Sequence, residues 1–494
     1  MVDYDTIIVT INLRGVAQAR AACLVHDVWW FNPIHPDSYK KMGSKKMNEE
    51  ALRNKEGSPD FGRRVEGPRV SEWYNKVIRE AGMVDQGPAR GTMVVRPYGY
   101  RLWKETQNVL GKVIEDNGVQ EAYFPAIIPE ELLTKEKEHI EGFAPEFLRV
   151  QGRGGVIGVL RPTSEAVIYP LFAKWINSYR DLPLKLNQWS NVFRDELRTY
   201  PFMRTSEFLW QEGHCAYATE EENRSEVRRF LSMYEQYFRD SLAIAPVFGK
   251  KSEKEKFAGA VYTTTGEAML PGGKALQVCT SHNLGTNFSE AFNIKYLGED
   301  GKQHYAHQTS WGLSWRAIGA MLMVHGDEKG LILPPKMAAT QVVIVPIRNG
   351  TDDGRILEVA EMIKGNISDI RVDVDQTSGR PGTKYSYHEM RGVPLRIELG
   401  ARDIDQEQTT IANRLTGKKT ILPLKGLADN VASTLNSIQD ALLTRSEELT
   451  KQSTTEVSTW GQFKDTLKEK GGFLLTYHCG DRKCEEQIQE ETNL

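Results

Sequence analysis

Residues Asn187–His214, NQWSNVFRDELRTYPFMRTSEFLWQEGH, constrain the chain more than any other stretch. An apolar run with Trp189, Val192 and Phe193 leads out to Arg194 and Glu196. A charged loop with Arg198, Pro201 and Arg204 follows, and a second apolar run (Phe208, Leu209, Trp210) returns to Glu212 and His214. Apolar runs on both sides of a polar loop predict two antiparallel strands. Successive strand side chains face opposite ways, so Trp210, Glu212 and His214 should share one face. Arg194, with Arg204 across the loop, makes a guanidinium clamp suited to a carboxylate or polyphosphate. A core strand pair with a solvated charged loop accounts for the bare pattern equally well.

The chain of 494 residues has room for roughly two to four domains. Hydrophobic residues at 40% and charged ones at 26% are those of an ordinary globular protein. No apolar run approaches the ~20 residues of a membrane span. The start, MVDYDTIIVTINLRG, puts acids ahead of a short apolar run, unlike a secretory or transit signal, so the expected compartment is the cytoplasm. A net charge of −3 neither suggests nor excludes nucleic acid, which needs a local basic patch rather than a basic total. Five cysteines, Cys23, Cys215, Cys279, Cys479 and Cys484, are too sparse for a disulfide framework. Cys479 and Cys484, with His478 beside them, are a doubtful half of a zinc site, because a structural zinc needs four ligands.

Phe193-Arg194-Asp195-Glu196 resembles the F-R-x-E core of motif 2 in class II aminoacyl-tRNA synthetases, and the continuation RTSEFLWQEGH is similar to prolyl-tRNA synthetases of the archaeal and eukaryotic-like type. The resemblance runs from about Ser71 to the last residues. It implies an α+β multidomain fold. Residues 71–335 would be a class II catalytic domain, an antiparallel sheet flanked by helices. Residues 338–427 would be an α/β anticodon-binding domain, and 428–494 a small C-terminal α/β domain shortened relative to the family. Residues 1–70 are an extension without an assigned role. In it TIIVTINL reads as a strand and Lys41–Lys46 as a solvated basic loop.

From Ser71 the pattern predicts a helix (SEWYNKVIREAGM), a strand (GTMVVRPYGY), an amphipathic helix from Trp103 to Asn117, and a strand (EAYFPAIIP). The last two, with Pro125, resemble motif 1, which implies a two-fold homodimer. Arg161-Pro162-Thr163-Ser164-Glu165 reads as a helix N-cap. It also matches the family's Thr-x-Glu loop, which implies that Thr163 and Glu165 hold the amino group of proline. The glycines at 152–155 and 272–273 read as hairpin turns. Between His214 and Trp311 the interval is too short for an editing domain.

Gln277, Thr280, Ser281 and His282 match a family Q-x-x-T-S-H word, which implies ATP contacts at Gln277 and Thr280 and a proline-pocket role for His282. Cys279 within it reads as a buried thiol. Residues 309–320, TSWGLSWRAIGA, resemble motif 3, with Arg316 opening an apolar helix. Trp315 stands where the family has a small hydroxyl residue. If it faces the nucleotide, ATP affinity changes. If it faces the core, nothing follows. Beyond Pro334-Pro335, QVVIVPI, GRILEVAEMIKG, IRVDVD, VPLRIELG and TILPL carry a βαβ rhythm. That region resembles the shared class II anticodon-binding domain, with Ala401 in place of a usual proline. It implies Lys384, Glu389, Arg391 and Arg402 as anticodon contacts.

The implied activity is ATP-dependent ligation of L-proline to tRNA(Pro) through prolyl-adenylate, with ATP as substrate and Mg²⁺ beside it. Arg194 and Arg316 are the implied catalytic residues. Proline would be held by Thr163, Glu165, Arg194, Trp210, Glu212 and His282, and ATP by Arg194, Arg204, Thr205, Phe208, Gln277, Thr280, Ser314 and Arg316. The alternatives are a non-catalytic paralogue that binds tRNA or protein, and a class II synthetase for another amino acid.

Overall fold

The computed structural model describes residues 9–10, 65, 69–133, 147–196 and 198–492. The readings made on residues 1–64, apart from 9–10, lie outside them. The hairpin of the sequence forms the fifth and sixth strands of a seven-stranded sheet. Strands Leu184–Phe193 and Glu207–Tyr217 pair antiparallel, with Ser190 opposite Trp210 and Gln188 opposite Glu212. Strand Glu207–Tyr217 is followed across the sheet by His307–Ser314, Lys274–Gly285, Tyr262–Leu270 and Val247–Lys250. On the far side, Gln120–Glu121 adds a short parallel edge. The interval from His214 to Trp311 is therefore the sheet itself, with helix Glu220–Asp240 laid on its back.

The two faces divide by the period of two. Gln211, Gly213 and Cys215 look toward helix Glu220–Asp240, where Trp311 stacks on Phe230 at 4.0 Å and the Gln211 amide meets the Tyr234 hydroxyl. Ser281 belongs to this side, because its Oγ donates to the Val227 carbonyl at 3.0 Å. Trp210, Glu212 and His214 share the opposite face, as the alternation requires. Gly213 has no room for more than hydrogen: a Cβ there would sit 2.0 Å from the Trp311 ring.

Ahead of the sheet, the expected helix forms over Val70–Glu80, while the strand read over 91–100 is confined to Met93–Val95. The long helix begins earlier than its apolar spacing suggests, at Pro97, and runs to Asp116. Proline at the first helical turn has the right φ and no hydrogen bond to lose, so it starts the helix and cuts the strand short. The segment read as one strand over 121–129 splits into Gln120–Glu121 and Ile127–Ile128, with Pro125 between. Both glycine clusters are hairpin turns, joining Arg149–Gly152 to Gly155–Leu160 and Tyr262–Leu270 to Lys274–Gly285.

The following unit is a five-stranded mixed sheet in the order Val372–Val374, Val342–Pro346, Leu395–Leu399, Gln408–Asn413, Lys419–Pro423. Helices Asp353–Asn366 and Leu427–Gln452 contribute to its core. It is locked to the catalytic sheet's last helix. Arg414 donates to both Asp327 oxygens at 2.6 and 2.9 Å, out of solvent, and the Trp73 indole caps the Asp327 carbonyl at 2.9 Å. Last comes a small unit with helices Trp460–Glu469 and Arg482–Thr492, whose sheet pairs Phe473–Leu475 with Thr454–Glu456 and with Val9–Thr10.

Candidate active site

The sheet face that carries Trp210, Glu212 and His214 forms the floor of a cavity of about 440 Å³. Thr163 and Glu165 enter from the loop before helix Glu165–Trp175, Arg194 from the end of the first hairpin strand, and Phe208 from the start of the second. Gln277, Thr280 and His282 project from strand Lys274–Gly285, and Ser314 and Arg316 from the turn into helix Arg316–His325. Residues far apart in sequence are thus brought to one hollow by strand pairing alone: Glu212 lies opposite Gly312, and Ser310 opposite both His214 and His282.

The floor is a buried polar network. One Glu212 oxygen accepts from Ser164 Oγ at 2.6 Å, Gln188 Nε2 at 2.5 Å, Trp210 Nε1 at 3.2 Å and Ser190 Oγ at 3.3 Å. The other oxygen faces His214 Nε2 at 3.0 Å, and His214 Nδ1 faces the Tyr169 hydroxyl at 3.2 Å. Burial pushes the Glu212 carboxyl up, but the His214 hydrogen bond and charge, with the other donors, outweigh it and hold the group below its ordinary range. Burial pulls His214 down, yet the bond to Glu212 and the charges of Glu165 and Glu212 raise it overall. Each group thus favours the charged form of the other, and the pair is locked by neighbours and closed to water. Ser164 serves this floor instead of capping its helix.

One wall is neutral and aromatic. His282 is driven down to about 3 by burial first, then by the charges of Lys251 and His214, so its ring is an uncharged acceptor and donor at neutral pH. Its Nδ1 meets Thr263 Oγ1 at 2.9 Å, and its ring packs on Phe257 at 4.6 Å. Thr163 Oγ1 donates to Glu165, so the two acceptors expected to grip an ammonium already face each other.

The opposite side is cationic. Arg194 lies over the Phe208 ring, 5.3 Å from its centre, and donates to the Pro162 carbonyl. Arg316 donates through Nε to the Met203 carbonyl at 3.0 Å. Burial, then repulsion from Arg194, with Arg204 adding a smaller push, lowers Arg316 to about 10, a cost that a bound polyanion would remove. Trp315 turns away from this side, 5% exposed and edge-on to Phe202 at 5.7 Å. It faces the core, and nothing follows for the nucleotide.

Some expected positions fall elsewhere. Thr205 does not line the cavity, since its buried hydroxyl donates to the Glu207 carbonyl at 2.7 Å. Arg204 lies on the loop outside the lining and pairs with Glu196. Lys384 is buried, with its ammonium 3.0 Å from the Asp375 carbonyl oxygen and 3.4 Å from its carboxylate, and cannot meet an anticodon base as it stands. Arg391 stacks on Tyr98 of the catalytic unit at 3.7 Å, Glu389 pairs with Arg396, and Arg402 is exposed in the short helix Ala401–Asp405. Among the described residues no group of three or more His, Cys, Asp or Glu is arranged to hold a metal ion. Cys479 and Cys484 belong to no such group, and His478 Nδ1 accepts from the Gly480 amide at 2.9 Å. Cys279 is buried, and burial raises its thiol well above the usual range.

The segment Lys251–Phe257 was not singled out from sequence, yet Lys251, Lys254, Glu255, Lys256 and Phe257 all line the cavity. Its sequence KSEKEKF reads as any solvated charge run. Only the position of a Phe at its end, next to the TTT strand, hints at a wall.

Comparison with known proteins agrees with this geometry. Residues 154–325 match the tRNA synthetase class II core domain (G, H, P, S and T), and residues 341–434 match an anticodon binding domain. The chain is 44% identical over 428 residues to a proline–tRNA ligase of Oceanobacillus iheyensis, covering 85% of this chain and 89% of that protein. It is 46% identical over 431 residues to one from Cenarchaeum symbiosum, covering 85% and 90%. To one from Rubrobacter xylanophilus it is 44% identical over 429 residues, again 85% and 90%. The chain belongs to the proline–tRNA ligase family of class II aminoacyl-tRNA synthetases.

Proposed function

We propose that this chain ligates L-proline to tRNA(Pro) with ATP, and that the cavity between Arg194 and Arg316 is where prolyl-adenylate forms. Two guanidinium groups converging on a hollow with a buried Glu212–His214 floor is the observation that carries this reading. The proline carboxylate attacks the α-phosphate of ATP, the bond to the β-phosphate breaks, and pyrophosphate leaves. The tRNA terminal hydroxyl then attacks the carbonyl and AMP leaves. The first nucleophile is already an anion, so the site must supply alignment and charge rather than a base. Arg194 bridges carboxylate and α-phosphate, Arg316 and the loop Arg204 hold the outer phosphates, and Phe208 stacks on adenine, with Gln277, Thr280 and Ser314 around it. Thr163 and Glu165 take the two N–H groups of the proline ammonium, while Trp210, Glu212 and the neutral His282 close around the ring. Phe257, packed against His282, joins them on the same wall.

Mg²⁺ fits as an ion that travels on the phosphate oxygens and screens their charge, which is how this metal usually meets nucleotides. The buried Glu267 does not line the cavity, and burial pushes its carboxyl well above the ordinary range, so it does not suit a cation, and the phosphate oxygens would carry the ion. Residues 71–335 are assigned this chemistry, 338–427 the anticodon and 428–494 a C-terminal domain. A homodimer is inferred from motif 1 and from the exposed Tyr123, Ile127, Val156, Ile157 and Trp175, and light scattering on the purified protein tests it. We place the protein in the cytoplasm; no helix among the described residues is long and apolar enough to cross a membrane. Proline-dependent ATP–pyrophosphate exchange tests the central claim. Exchange with proline and not with threonine, glycine or histidine is expected, and exchange driven by threonine would overturn the choice of amino acid. The inward Trp315 weakens the case for a non-catalytic paralogue.

A further inference from the structure

The last helix of the chain reaches the active site without entering it. Ser252, immediately after the cavity-lining Lys251, is 3% exposed, and its hydroxyl donates to the Glu485 carboxyl of helix Arg482–Thr492 at 2.7 Å. The same hydroxyl accepts from the Glu255 amide at 3.1 Å, which folds the segment into a turn. One turn along the helix, Gln489 takes the Lys254 ammonium. Glu485 is fully buried. This small C-terminal unit has a second hold on the catalytic sheet, because the Gly472 amide donates to the Gly273 carbonyl at 3.0 Å in the turn joining two cavity strands. Its own helices are tied by Trp460 Nε1 to Glu491 at 3.1 Å.

The segment between these anchors has a job at the cavity. It brings Lys251, Lys254 and Lys256 to the lining, and at its far end Phe257 packs on His282, with its amide on Thr263 Oγ1 at 2.8 Å. One end is thus fixed by the sheet. The other end is held by the Lys251 amide on the Thr263 carbonyl at 2.8 Å, and the C-terminal helix fixes the turn between them through Ser252 and Lys254.

We propose that Glu485 is a positioning residue for adenylate formation: through Ser252 it holds the Lys251–Phe257 segment over the cavity, so that the C-terminal unit sets the affinity for the polyphosphate substrate. The proposal rests on the reading of the cavity as an adenylation site. Burial first, with the charge of Glu255 adding to it, lifts the Glu485 carboxyl to about 8, so at neutral pH it is largely a neutral acid that an amide can imitate. Glutamine at 485 should therefore keep the bond that alanine loses.

Wild type, Glu485→Ala and Glu485→Gln are compared as full-length proteins in proline-dependent ATP–pyrophosphate exchange and in limited trypsin digestion. Glu485→Ala is expected to raise KM for ATP roughly three- to tenfold with kcat little changed, the scale of one lost hydrogen bond. It should also speed cleavage after Lys254 and Lys256, while Glu485→Gln stays near wild type in both. A wild-type KM and cleavage rate in Glu485→Ala would overturn the proposal, and so would a lowered melting temperature with neither changed, or a Gln variant as impaired as Ala. If Glu485→Ala does not fold, Ser252→Ala removes the same bond from the other side and must show the same two changes. The digestion needs no catalysis, so a wild type without exchange activity would defeat the adenylation reading while the clamp is still judged by cleavage.

Discussion

Removing the Arg194 guanidinium takes away the group that spans nucleophile and electrophile. Arg194→Ala should lower proline-dependent exchange by about two to three orders of magnitude, and exchange near the wild-type rate would remove Arg194 from the mechanism. His282 makes a prediction of a different kind. Its folded pKa of about 3 lies below the ordinary 6.5, so between those values the unfolded chain binds a proton that the folded chain refuses. This contribution to stability is complete above 6.5 and is lost as pH falls toward 3. Urea unfolding at neutral pH and at about pH 5 should differ less in His282→Asn than in wild type. That Arg194, Arg316, Glu212 and His282 gather at one cavity was legible beforehand, because they sit in words with fixed spacing on or beside alternating strands. Lys251 and Phe257 were not, since a lysine-rich loop looks alike whether it faces water or a cavity. Thr205 and Lys384 misled because a polar residue in a family word satisfies itself locally when its backbone turns it inward.

Strands and helices obeyed their periods wherever a face was buried. The motif 2 hairpin and helix Arg316–His325 could be drawn from sequence because one residue in two, or an apolar run after an arginine, had to face the core. Strand Gln408–Asn413 escaped notice: Thr-Thr-Ile-Ala is short and half polar, and it is a strand because its neighbours on both sides bind it. Pro97 was a start signal taken for strand. The tightest test of the hairpin's register is Gly213, whose missing side chain is the space filled by Trp311. Gly213→Ala should destabilise the protein by about 1–3 kcal/mol by overpacking, measurable by denaturant titration, and the near-ultraviolet circular dichroism of Trp311 should change with it.

Across the molecule, Arg414 and Asp327 couple the anticodon-binding unit to the helix that begins with Arg316. Both partners are out of solvent, so Arg414→Met leaves the buried Asp327 carboxylate without its guanidinium, with the Lys329 amide still on it, and should cost about 3 kcal/mol. The exposed pair Arg355–Asp405 is the control, and Arg355→Met should cost less than about 1 kcal/mol. Equal losses in chemical unfolding would show that the buried pair holds nothing special. No periodicity reveals this junction, because its two ends lie 87 residues apart and each looks like an ordinary loop charge.

That junction also has a practical consequence. Counterions cannot reach it, whereas any grip on a phosphodiester backbone is weakened steeply as electrolyte is added. Ionic strength then becomes a dial that detaches the nucleic acid while the two units keep their posture, so the amino-acid half of the reaction should run undisturbed at salt where transfer has already stopped.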